Sequence, residues 1–168
     1  MIATEPPNPE NQIEFVLQKY SKMVYRLAYV RTKNRADTED LLQEVFLRFL
    51  KSNIPFSDNE HCKAWLIRIT INYSKNLLTS AWFRKTVFME DGLENYANVA
   101  EQGKSDVFYA VLELPVKYRV VVHLYYYEDF SVAEISTMLN RKESTVKTQL
   151  YRARELLKKK LQGDYDYV

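Results

Sequence analysis

Between Arg141 and Lys160 the chain carries eight basic residues and two acids, Glu143 and Glu155, a local charge of +6. The whole chain has a net charge of only +2, which hides this concentration. Within that stretch Val146, Leu150, Ala153 and Leu157 recur at helical spacing. If they face inward, Lys147, Thr148, Tyr151, Arg152, Arg154 and Lys158 lie outward or at the flanks. The chemistry of such a face is nucleic-acid recognition. Lys and Arg neutralise phosphates, Arg or Lys can read guanine, and Thr can meet a base edge or a thymine methyl. A lone basic helix is more often just a solvated face. Here the reading depends on what precedes it in the chain.

Other chemistries find little support. Cys62 is the only cysteine and His61 and His123 are the only histidines, so a structural zinc site lacks ligands. No Ser-His-Asp, Cys-His or paired-carboxylate arrangement points to catalysis, and no cofactor or metal is expected. The three glycines, Gly92, Gly103 and Gly163, form no phosphate-cradling motif. A single cysteine allows no intrachain disulfide and fits a reducing cytoplasm.

The basic helix needs elements to position it. Ser131-Val-Ala-Glu134 is a capping box, with Ser131 as cap and Glu134 reaching back. The helix it starts ends near Leu139. Asn140-Arg141-Lys142 then makes a short turn, where Asn tolerates the left-handed conformation. A short capped helix, a turn of three or four residues and a longer helix form the helix-turn-helix pattern. Upstream, Asp106 to Leu114 reads as a short helix. Pro115 opens another that runs from Val116 to Tyr127, and Glu128 to Phe130 make a turn. Tyr125, Tyr126 and Tyr127 are expected to pack the core of this block.

The first half is helical as well. Ile13, Val16, Leu17, Tyr20, Met23, Val24 and Leu27 mark an amphipathic helix. A polar stretch from Arg31 to Ala36 interrupts it, and Asp37 or Thr38 can cap the next helix. Its core, Asp40 to Leu50, has apolar positions wider than one stripe, so it packs on more than one neighbour. A loop from Lys51 to Glu60 leads to a third helix, about His61 to Leu78, with Trp65, Leu66, Ile69 and Tyr73 on one side. From Arg84 to Ser105 the periodicity fades and acids dominate, which predicts a linker between two domains. The expectation is an all-α chain of two small helical domains: 12–84, an acidic linker at 85–105, and 106–162.

Hydrophobic residues make up 46% and charged residues 27%, a globular composition that excludes a wholly disordered chain. No long apolar run predicts a membrane span, so membrane insertion is not expected. The start, MIATEPPNPENQ, has no basic, apolar leader pattern, which predicts no secretory signal.

The segment from Leu114 to Leu157 resembles the C-terminal promoter-reading domain of bacterial sigma-70 family sigma factors of the extracytoplasmic-function (ECF) type. The resemblance rests on Leu114-Pro115, Tyr127-Glu128, Ser131 to Ile135, Thr145-Val146-Lys147 and Arg152-Ala153-Arg154. Independently, DTEDLLQEVFLRFL resembles the family's polymerase-binding helix, and AWLIRITINYSKNLL its helix for reading the −10 element. The resemblance runs from about Tyr20 to Leu157 in the right order.

It implies a factor that binds core RNA polymerase and directs transcription initiation at chosen promoters, with no catalysis of its own. Asp40, Leu41, Gln43 and Glu44 would dock on the β′ clamp helices, and the C-terminal domain on the β flap. Asn72, Asn76, Trp82, Arg84 and Lys85 would meet −10 DNA. Ser144, Thr145, Lys147, Thr148, Tyr151 and Arg152 would meet the −35 element. Asn140 and Ser144 stand where relatives often have Gly, and Gln149 where many have Arg. Promoter DNA, core polymerase and an anti-sigma factor are the expected partners, and the cytoplasm the expected location. The residues alone leave open a stand-alone helix-turn-helix regulator. They also leave open a sigma-like interaction module that reads no DNA.

Overall fold

The computed structural model describes residues 9–52, 58–81 and 106–165, with side chains for a few residues fewer at some ends. Every element among them is helical: α1 (Pro9–Thr32), α2 (Arg35–Lys51), α3 (Asn59–Ala81), α4 (Asp106–Glu113), α5 (Val116–Val122), α6 (Val132–Leu139) and α7 (Glu143–Tyr165). A single π-helical turn, His123–Tyr127, continues α5. The expected linker, with Trp82, Arg84 and Lys85, lies outside the described residues.

Helices α1, α2 and α3 pack mutually into one bundle. Its interior is Val24, Leu27, Leu41, Val45, Leu66, Ile67 and Ile71, all essentially fully buried. Each such side chain contributes about 1.5–3 kcal/mol by leaving water. The inward face of α3 is therefore Leu66, Ile67 and Ile71. Trp65, Ile69 and Tyr73 only flank it. Trp65 meets Phe49 of α2 edge-on, with ring centroids 6.1 Å apart.

The polar break between α1 and α2 is shorter than expected. Helix α1 runs through Arg31, and only Lys33 and Asn34 separate the two helices. Lys33 takes a positive φ of 52°. The cap of α2 is Asn34, whose Oδ1 accepts from the Asp37 N–H at 3.0 Å. Asp37 and Thr38 are thus not caps. Asp37 lies in the first turn, and Thr38 is buried, donating to the Asn34 carbonyl at 2.6 Å.

In the second half, α7 packs against α4, α5 and α6. The capping box forms as expected: Ser131 Oγ accepts from Glu134 N–H and Glu134 Oε1 from Ser131 N–H, both at 3.1 Å. Asn140 ends α6 in the left-handed region, at φ 53° and ψ 51°. The expectation for the tyrosines holds only for Tyr125, which is half-buried and packs against the core, while Tyr126 and Tyr127 are about half exposed. The π-turn carries one extra residue per hydrogen-bonded ring. It rotates Leu124 and His123 inward in their place.

The two halves share one continuous core. α5 packs on α1, and α6 on α3. A satellite cluster joins Tyr29 of α1 to Phe108 and Leu112 of α4.

Candidate functional site

The helix-turn-helix is the best-defined surface. Its α7 is anchored by Val146, Leu150 and Ala153, each at most 2% exposed, with Leu157 half-buried below them. That anchoring fixes the rotation of the helix. Ser144, Thr145, Lys147, Thr148, Tyr151 and Arg152 are consequently all exposed, and Tyr151 is 62% exposed. Arg154 and Lys158 are exposed too.

The turn that sets the two helices is tied at several points. Arg141 N–H donates to the Ser136 carbonyl at 3.0 Å, and Ser136 Oγ returns a hydrogen bond to the Arg141 carbonyl. Arg141 Nη1 donates to Gln149 Oε1 at 2.9 Å. Gln149 therefore braces the turn. Thr148 donates its hydroxyl to the Ser144 carbonyl at 2.9 Å, leaving its methyl group and an oxygen lone pair for a ligand. Arg154 Nε donates to the Tyr126 hydroxyl at 2.7 Å, and its guanidinium lies 5.7 Å from that ring.

A second surface lies on α2. Asp40 and Gln43 are exposed, and Glu44 is partly exposed and paired with Arg48 at 2.8 Å. Leu41, expected at the same surface, is 1% exposed and belongs to the bundle core. It holds the helix in place and offers no surface. Leu47 and Leu50 are instead 48% and 47% exposed. Sequence reasoning missed Leu47, and it assigned Leu50 to packing. The signal was available, because steps of three and four from Asp40 lead through Gln43 and Leu47 to Leu50. The result is an exposed apolar pair, Leu47 and Leu50, with Asp40, Gln43 and Glu44 on its N-terminal side and Arg48 and Lys51 beside it.

A third surface runs along α3. Asn72 and Asn76 are exposed one turn apart, with Arg68 and Lys75 exposed on the same side. Arg68 was also missed, although it lies four residues before Asn72. Arg48 of α2 stacks its guanidinium 4.0 Å from the Tyr73 ring, linking the second and third surfaces. Among the described residues, no group of His, Cys, Asp and Glu could hold a metal ion. Cys62 is buried, and burial raises its thiol pKa above the ordinary range, so it is a core residue.

Three exposed faces, one of them on a helix-turn-helix, are thus carried on an all-helical scaffold. The family model "Sigma-70 region 2" matches residues 16–84, and "Sigma-70, region 4" matches residues 106–157. The ECF RNA polymerase sigma factor SigM of Bacillus subtilis is 30% identical over 154 residues, covering 87% of this chain and 93% of SigM. SigW of the same organism is 29% identical over 162 residues, covering 87% of each. The sigma factor RpoE from Bartonella quintana, solved with the anti-sigma factor NepR, shares the two-domain fold at TM-score 0.70. It is 21% identical, covering 90% of this chain and 98% of RpoE. The chain belongs to the ECF RNA polymerase sigma factors. It is a promoter-directing sigma factor.

No helix among the described residues is long and apolar enough to cross a membrane.

Proposed function

We propose a division of labour among the three faces. The outer face of α7 reads the −35 element: Lys147, Thr148, Tyr151 and Arg152 meet base edges, while Ser144 and Thr145 hold phosphates near the helix start. Asn72 and Asn76 on α3, with Trp82, Arg84 and Lys85 beyond it, meet the −10 element. Asp40, Gln43 and Glu44 on α2 dock on the β′ clamp helices of core polymerase, and Leu47 and Leu50 add apolar contact there. The C-terminal domain meets the β flap. The chain supplies recognition and strand melting, and RNA synthesis belongs to the polymerase. An anti-sigma factor is a further partner, by analogy with RpoE, solved with the anti-sigma factor NepR.

The observation that carries this reading is the exposure of all six assigned α7 residues around a fully buried anchor. The test is run-off transcription on fragmented host DNA with purified core polymerase. The expected result is new transcripts sharing two spaced upstream motifs. Asp40→Arg should abolish binding to core, since it reverses a charge at the docking face. Core binding unchanged by Asp40→Arg would refute the role given to α2.

A further inference from the structure

The tyrosines that follow α5 and the basic face of α7 meet at one residue. Arg154 is exposed, yet its side chain is held in place. Its Nε donates to the Tyr126 hydroxyl at 2.7 Å. Its guanidinium carbon lies 5.7 Å from the centre of the Tyr126 ring and 5.9 Å from that of Tyr125. The two rings stand edge to face, with centroids 4.9 Å apart, and make a corner for the cation. The π-turn carries Tyr126 to this position, where the side chain is half exposed. Single π-turns recur at functional sites.

The contact does little for stability. Both side chains face solvent, where a protein hydrogen bond replaces one to water. Its consequence is geometric. A free arginine gives up rotamer freedom when it binds an anion, and one already held has given it up beforehand. The phenol also leaves the charge uncancelled, as a carboxylate in its place would not. Among the described residues Arg154 forms no ion pair. Tyr126 engages only Nε, so both Nη groups keep their donors for a ligand.

Position along α7 decides which ligand that is. The first residues of such a helix meet base edges. Arg154 stands about 16 Å along the axis from Glu143, at ~1.5 Å per residue. The major groove is only ~12 Å wide. A cation that far along the helix lies at the sugar-phosphate edge of the groove, beyond the bases. Arg154 is also almost in line with Lys147, two turns earlier, so it faces the same duplex.

We propose that Arg154 is a further promoter-binding residue, gripping a backbone phosphate at the edge of the −35 element, and that the Tyr126 hydroxyl is its positioning group. This rests on reading the outer face of α7 as the −35 reader. The exposed tyrosine then has a task that core packing does not give it. It presents a recognition cation in one conformation before DNA arrives.

The test uses holoenzyme made from the full chain and purified core polymerase. Binding is measured over a series of salt concentrations to two duplexes of equal length. One carries a −35 element from a promoter found by run-off transcription, and the other a scrambled sequence. Arg154→Ala should weaken binding to both duplexes by about tenfold, as for a lost charged hydrogen bond. It should also make the slope of log affinity against log salt shallower by about one. Tyr126→Phe keeps the ring and loses only the hydroxyl. It should weaken both complexes about threefold, leave the melting temperature unchanged, and have no further effect once Arg154 is replaced by Ala. An unchanged salt slope in Arg154→Ala would overturn the phosphate contact. A Tyr126→Phe loss that persists in full in the Arg154→Ala background would overturn the positioning role. Arg152→Ala checks the underlying reading, because it should erode the preference for the −35 duplex over the scrambled one. If that preference survives, base reading by Arg152 fails separately, and the salt slope at Arg154 still decides the phosphate contact.

Discussion

Arg119 and Arg31, where the two halves of the chain meet, and Arg152 and Lys147, on the outer face of α7, carry the same charge and have opposite employment. Arg119 and Arg31 are buried, and carbonyl and hydroxyl oxygens of the fold take up their donors. Burial pushes both guanidinium groups down to about 10, with a neighbouring arginine adding to each shift. They remain charged at neutral pH, so the fold bears their desolvation and needs every bond they make. Arg152 and Lys147 are exposed, and neither forms an ion pair within the described residues. Their donors are open to phosphates and bases. Position on the scaffold, more than residue type, separates a structural cation from a recognition cation.

Substitutions at the two places should therefore have different signatures. The largest stability effect is expected for Arg119→Ala. It leaves carbonyls at the ends of two helices without their buried donor and should cost about 1–3 kcal/mol in chemical denaturation, as for buried acceptors left unpaired. A loss below about 1 kcal/mol would place Arg119 with the dispensable surface charges.

Arg152→Ala should do the reverse. It should cost about 1–3 kcal/mol of discrimination between promoter and mutated −35 sequences. Its effect on stability should stay within about 0.5 kcal/mol, as for a surface change. Filter binding of holoenzyme across −35 variants reads the first quantity, and urea denaturation the second. Unchanged preference for the −35 bases would remove Arg152 from the base-reading set.

Ser131→Ala lies between these extremes. It removes the cap of α6 without touching either cation group, at a cost of about 1 kcal/mol. That corresponds to a melting temperature lower by about 3 °C for a chain of this size.

The smallest effect is expected from pH at Glu128. Burial alone raises the pKa of this carboxyl, but the neighbouring His123 and then Lys63 more than offset it and leave it below its ordinary value. The folded pKa is thus lower than the unfolded one. Glu128 adds stability above the unfolded value, and that stability is lost as pH falls through the folded value. The melting difference between wild type and Glu128→Gln should hold steady from neutral pH to about pH 5 and shrink below it. A difference that grows on acidification would contradict the carboxylate's role.

Much of the fold could be read locally. The box at Ser131 and Glu134, the left-handed Asn140 and the Val146–Leu150–Ala153 stripe are short-range patterns, each realised within a few residues. The outward set on α7 followed from that stripe, because one buried face fixes the rotation of a helix. Asn34 was harder to read as a cap, because Asp37 and Thr38 are equally good caps by type. Thr38 is instead drawn inward to bond Thr32 and the Asn34 carbonyl. Tyr126 and Tyr127 were misread because a π-turn shifts the facing of the residues it carries, and residue types do not announce such a turn.

By itself, the sequence determined the helical class, the helix-turn-helix, the basic face of α7 and the order of the family's motifs. These depend on spacing within one helix or one turn, where physics is local. Tertiary structure alone decided that Leu41 is buried while Leu47 and Leu50 are not. It also decided that Arg119 closes the end of a helix 88 to 89 positions away. Burial depends on which neighbour covers a face, and a buried charge is tolerable only where distant oxygens converge on it.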